Sequence, residues 1–231
     1  MEPLSPDVLL TTTRTVRRRL DFERPVPRGV VEECLEIAFQ APSGGNLNAW
    51  RWIALDDRDL VARAARLYDQ GLDDYIARLG PAGYPGARVP RAQQIADSTL
   101  YLREHLHRSP VLLVPLIAGR TDAAPMTHVF WQASQWGSLL QAVWSFMLAL
   151  RARGLASAWT TGHLWREREM AELLGIPYET FMQAGLFPVA FAKGGGFRRA
   201  ARKPLAEVAA WNGFQGEPMG KAPRPGSTPT R

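Results

Sequence analysis

The stretch VFWQASQWGSLLQAVWSFMLAL, residues 129–150, contains no charged side chain. As a helix, its 22 residues rise about 33 Å, enough in length to span a membrane. Its polar content argues otherwise. Gln132, Gln135, Gln141, Ser134, Ser138 and Ser145 would all need partners inside hydrocarbon. Ser134, Ser138, Gln141 and Ser145 step by four, three and four, a narrow polar stripe on an apolar helix, with the small Gly137 beside it. The pattern predicts a buried central helix whose stripe faces a partner helix or a bound polar ring. In a chain this small, a second subunit covering one of its faces accounts best for so much uncharged surface.

The flanking sequence supplies the rest of one α+β domain. Ser5-Pro6-Asp7 reads as a capped helix start, and the helix is expected to run to about Arg19. A second helix is expected over 28–40, where Val31, Cys34, Leu35 and Ala38 recur at helical spacing and turn Cys34 toward the core. Further helices are expected near 58–79, 91–107 and 167–174. Strands are expected at 50–55, 110–118, 155–161 and 186–191. Gly80 to Pro90 reads as a Gly/Pro-rich surface excursion. Residues 1–212 form the expected folded domain. Residues 213–231, with four Gly and four Pro, form a tail that is mobile or lies as a strap on another surface.

Composition excludes several classes. The chain has 231 residues, 46% apolar, sufficient for a real core. Its one cysteine forbids an intrachain disulfide, and MEPLSPD lacks the basic and apolar regions of an export signal, so a cytoplasmic protein is expected. The formal charge of +6 rests on 28 basic residues, of which only Lys193, Lys203 and Lys221 are lysines. Guanidinium forks suit phosphate, so an anionic partner is expected. The four histidines, His105, His107, His128 and His163, come without HExxH or CxxC spacing, and no metal site is expected. Neither GxGxxG nor GxxxxGK[ST] occurs.

Three separated features could together hold a phosphorylated aromatic cofactor. Arg14, Thr15 and Arg17 would span one turn if helical, bringing two guanidiniums and a hydroxyl to one phosphate. The loop from Ser43 to Asn48 offers backbone N–H groups, a hydroxyl and the Asn46 and Asn48 amides. Arg202-Lys203-Pro204 closes a basic segment. Taken singly, each reads equally as a solvated charge run or an ordinary turn.

Read together, these residues resemble the FMN-dependent nitroreductase family. Arg14-Thr15-Val16-Arg17-Arg18 followed by Pro25-Val26-Pro27 is similar to its amino-terminal motif, and Ala41-Pro42-Ser43-Gly44-Gly45-Asn46 to its cofactor loop. Gly154 to Thr161, Leu173 to Pro177, Pro188 to Phe191 and Arg202 to Leu205 follow in the family's order. The resemblance implies a mixed, mostly antiparallel sheet flanked by helices, in an intertwined homodimer with FMN at the subunit interface. It assigns Arg14, Thr15, Arg17 and Arg202 to the phosphate or ribityl chain. Ser43, Asn46 and Asn48 fall to the ribityl chain or ring edge, and Thr160, Thr161 and Gly162 to the flavin N5–O4 edge. Thr161, Gly162 and His163 are possible helpers; no side-chain acid is required, because the flavin carries the chemistry. The implied activity passes hydride from NADH or NADPH to a nitroaromatic, quinone or related electrophile. Thr15 replaces a common Ser, and Asn48-Ala49 a common Gln-Pro. The alternatives are a protein of this fold that consumes or stores flavin, and a basic nucleic-acid-binding module, for which no reading helix is visible.

Overall fold

The structure is a computed structural model that describes residues 4–79 and 92–220. The expected excursion at 80–90 and residues 221–231 of the expected tail lie outside the described residues. Helix α1 (Pro6–Thr12) starts where Ser5 Oγ accepts the Val8 N–H at 3.4 Å. It stops well before Arg19. Thr11, Thr12 and Thr13 turn their hydroxyls back onto the carbonyls of Asp7, Val8 and Leu9 at 2.5, 2.6 and 2.7 Å, and Thr13 is already extended. Three consecutive β-branched, hydroxyl-bearing residues oppose further helix. The expected helical pairing of Arg14 with Arg17 is therefore corrected: Arg14 lies on irregular chain past the helix, and Arg17 opens a turn, closed by Leu20 N–H to Arg17 O at 3.2 Å, that leads into β1 (Leu20–Asp21).

The order then runs α2 (Arg28–Ala38), β2 (Trp50–Leu55), α3 (Arg58–Leu79), α4 (Ala92–His105), β3 (Val111–Ala118), α5 (Val129–Ala152), β4 (Leu155–Ser157), α6 (Glu167–Leu174), β5 (Phe181–Gln183) and β6 (Phe187–Ala192). These strands form one sheet in the order β1-β6-β3-β2, with β4 also paired to β6 and β5 to β3. Every one of these strand pairs is antiparallel. The short β1 and β5 were not anticipated; two or three residues carry no periodicity to read.

Strand β3 explains the layering. Its side chains alternate between two cores: Val111, Leu113 and Ile117 join α2 and α5, while Leu112, Val114 and Leu116 join α3, α4 and α6. Burial on both faces is why VLLVPLIA is apolar throughout. Helix α5 gives Leu139, Ala142, Val143, Phe146 and Leu150 to the first core. Cys34 is fully buried there, and burial pushes its thiol up to about 11. Among the described residues, no helix is long and apolar enough to cross a membrane.

The described residues up to Phe197 make one compact unit and those from Arg198 onward another. The second unit holds α7 (Leu205–Val208) and the antiparallel pair β7 (Ala210–Trp211) and β8 (Glu217–Pro218). Its Leu205, Val208, Trp211 and Phe214 are exposed, Phe214 almost completely.

Candidate active site

Val16 is the pivot of the first basic cluster. Its side chain is buried and its N–H donates to Ser157 O at 2.9 Å, which lays residues 14–17 along the end of β4. Arg14 and Thr15 on one side and Arg18 on the other stay exposed; Arg17 is half-buried and donates to Ser98 Oγ at 3.3 Å. The arginines are thus presented by a non-helical segment anchored through Val16.

Beyond Ser157 the chain reaches Thr160, Thr161 and Gly162. Thr160 spends both its N–H (3.2 Å) and its hydroxyl (2.5 Å) on Leu186 O, a link between this segment and the start of β6. That leaves the N–H groups of Thr161 and Gly162 as the ones that could face a ligand. Gly162 opens a 3-10 turn, Gly162–Arg166, pressed onto α3. A Cβ on Gly71 would overlap the Gly162 carbonyl, and one on Gly162 would sit 2.9 Å from the Tyr68 ring. Two glycines therefore set how closely helix and turn approach.

His163 follows with no exposure at all. Its ring nitrogens have no hydrogen-bond partner among the described residues, and Gln183 is its polar neighbour. Burial drives its pKa down to about 3, only partly offset by Gln183, so the imidazole is neutral at physiological pH. It is held in the interior beside α3.

The loop after α2 is built from unusual backbone. Gly45, Asn46 and Asn48 all take left-handed conformations, at φ 58, 55 and 47°. Glycine does so freely, and asparagine better than most other residues. Ser43 Oγ accepts the Asn48 N–H at 3.1 Å and donates to Asn48 Oδ1 at 3.1 Å, closing the loop on itself. Gly44 N–H donates to Ser138 Oγ at 2.8 Å, and a Cβ on Gly44 would come within 2.7 Å of Ser134 Oγ. The serine stripe of α5 therefore receives this loop. A cavity of only about 40 Å³ lies between them, lined by Ser43, Asn48, Trp131, Ser134 and Gln135 among others. Ligand pockets typically measure about 300–1,000 Å³, so this cavity by itself is too small to enclose a flavin.

Sequence reasoning missed the residues that brace this region. Arg120, nearly buried, donates to Glu167 Oε2 at 2.8 Å and Asp122 Oδ2 at 2.8 Å, and its guanidinium lies over the Tyr178 ring. Burial opposes its charge, but the bonds to Glu167 and Asp122 outweigh that and raise its pKa. Glu167 Oε1 also accepts the Gln183 N–H at 2.9 Å, tying the exit of the 3-10 turn to β5. The signal was weak: a lone Arg after a strand and a Glu at a helix start. Arg202 lies in the second unit, exposed, donating to Ala201 O at 3.1 Å. Among the described residues, no cluster of three or more His, Cys, Asp or Glu could hold a metal.

Comparison with known proteins agrees with this architecture. The chain is 24% identical over 205 residues to a 4-nitrobenzoate reductase from Nocardioides sp. (strain LMS-CY), covering 78% of each. Solved structures share the fold. An iodotyrosine deiodinase bound to FMN and 3-iodo-L-tyrosine aligns with a TM-score of 0.66 at 22% identity over 89% of this chain and 98% of that one. An FMN and NADPH-dependent nitroreductase from Sphigopyxis sp. strain HMH aligns at 0.63 and 21% over 91% and 100%. A BluB-like flavoprotein from Clostridium difficile 630 aligns at 0.68 and 16% over 90% and 99%. The model of the nitroreductase family matches residues 10–190, and with three quarters of its length so matched, this chain belongs to the nitroreductase family.

Proposed function

We propose that this protein is a homodimeric, FMN-dependent oxidoreductase that takes hydride from NADH or NADPH and reduces a nitroaromatic, quinone or related small electrophile. The observation that carries the reading is the Val16–Ser157 hydrogen bond. It ties the segment carrying the exposed Arg14 and Thr15 to the strand that leads to Thr161 and Gly162, which supports their serving one ligand. The strained Gly45–Asn48 backbone supports it too, since left-handed non-glycine residues concentrate where function requires them.

The residues present fit FMN. Arg14, Arg17 and Thr15 would bind the phosphate, and Arg202 would likewise contact an FMN phosphate. Ser43, Asn46 and Asn48 would hold the ribityl chain or the polar ring edge. The Thr161 and Gly162 N–H groups would orient the ring by donating to its N5–O4 edge. Bound FMN would supply the acceptance of hydride from the nicotinamide and its return to the second substrate. Neutral, buried His163 would keep a charge away from that edge. Phe130, Trp131, Leu140 and Trp144 leave an exposed apolar face on α5, and the apolar residues of the carboxy-terminal unit are exposed as well. A second copy would cover such surfaces and complete the site.

The purified protein is expected to release flavin on denaturation and to oxidise NAD(P)H steadily when a nitroarene or quinone is added. Loss of flavin stoichiometric with reaction would instead favour a protein that consumes it. Arg14→Ala and Arg202→Ala should each weaken FMN affinity about ten- to a hundredfold in a fluorescence titration, as charge-assisted hydrogen bonds are worth about 1.5–3 kcal/mol. Unchanged affinity in both would remove them from the phosphate site.

A further inference from the structure

One face of α3 continues past the candidate active site. Tyr68, Gly71 and Leu72 pack against Gly162, and the same face goes on to Tyr75 and Arg78 at helical spacing. These two meet Trp165, on the same 3-10 turn as Gly162. The Tyr75 and Trp165 rings are 6.4 Å apart, and the Arg78 guanidinium lies 4.5 Å over the Trp165 ring. Trp165 is 45% exposed. A 3-10 helix rises about 2 Å per residue, so the backbone of Trp165 follows that of Gly162 by about 6 Å along the turn.

The charge of Arg78 is left over. Asp74 pairs with Arg166 at 2.6 Å, Asp73 pairs with Arg103 at 2.8 Å, and Asp69 is bound by Arg103 as well. From Tyr75 to Ala96 the sequence contains no carboxylate. Among the described residues Arg78 makes no ion pair; its Nη1 donates to Asp74 O at 3.3 Å and its flat face rests on Trp165. A guanidinium so stacked is preorganised, with its N–H edge left to meet a planar anion in two parallel bonds.

We infer that Arg78 on Trp165 is the recognition point for the carboxylate of an aromatic electron acceptor, making anionic aromatic acids the preferred substrate class. This rests on the proposed flavin-dependent activity and adds selectivity to it. Arg78 acts on specificity and takes no part in the redox chemistry.

The test compares 4-nitrobenzoate with its methyl ester on the FMN-loaded enzyme. The expected kcat/KM for the acid exceeds that for the ester at least tenfold, chiefly through KM, and falls with added salt while the ester's does not. Arg78→Ala should collapse the acid-to-ester ratio about ten- to a hundredfold, with Arg78→Lys restoring part of it as a point charge. An ester turned over as well as the acid by the wild-type enzyme, or a ratio that Arg78→Ala leaves unchanged, overturns the inference while the oxidoreductase reading stands. Absence of bound flavin, or no NAD(P)H oxidation with any nitroarene or quinone, defeats the underlying reading instead, and turnover of those without either benzoate compound overturns the inference alone. Arg78→Gln, which keeps the long stem and removes only the charge, gives the same comparison should Arg78→Ala fold poorly.

Discussion

His163 shows how much one side chain can set. Its folded pKa of about 3 lies below the unfolded value of 6.5, so its contribution to stability is complete above pH 6.5 and is lost as pH falls toward 3. Between pH 7.5 and 5 the wild-type protein should lose roughly 2 kcal/mol from this group in urea unfolding. His163→Leu should flatten that slope, whatever its stability at pH 7.5. Gly71 acts through what it lacks. Gly71→Ala favours the helix by about 1 kcal/mol but drives a methyl into the Gly162 carbonyl, a backbone atom that cannot step aside. Overpacking of this kind costs about 1–3 kcal/mol, so thermal melting should show a net loss. If Gly162 faces the cofactor, FMN affinity should drop with it.

Among the elements, the 162–166 turn is held from two sides, by α3 through the glycine contact and by β5 through Glu167. The Arg120–Glu167 pair has side chains only 9% and 12% exposed, so breaking it strands a charge in the interior. Glu167→Gln should cost about 3 kcal/mol in chemical denaturation, the low end for a broken buried pair, because Asp122 still engages Arg120. The α5 stripe belongs to this scale as well. Expected to face a helix or a bound ring, it receives the 43–48 loop through Ser138 and so shapes the site indirectly. Helix α1 is the counter-example: hydroxyl back-bonding ended it early, and Arg14 and Arg17 fell on non-helical chain, where the helical spacing between them no longer applies.

For the molecule as a whole, the exposed face of α5 is the quantity to test. Trp144 is 40% exposed on the face of α5 opposite Phe146 and Leu150, which join the core. If a second copy covers this face, Trp144→Glu buries a charge in the interface, and sedimentation velocity should show the dimer shifting to monomer with loss of bound FMN. The sequence by itself determined the α+β class, the long strands and helices, the burial of Cys34 and the order of the cofactor-type motifs. Those properties are written in local periodicity, capping and turn residues, which act over a few neighbours. Only the tertiary structure decided that Val16 would anchor the arginines beside β4, that Ser138 would hold the Gly44 loop, that Arg120 would find Glu167, and that Arg78 would come to rest on Trp165. Each of these joins residues dozens of positions apart, where pairing depends on packing geometry that no short stretch of chain encodes.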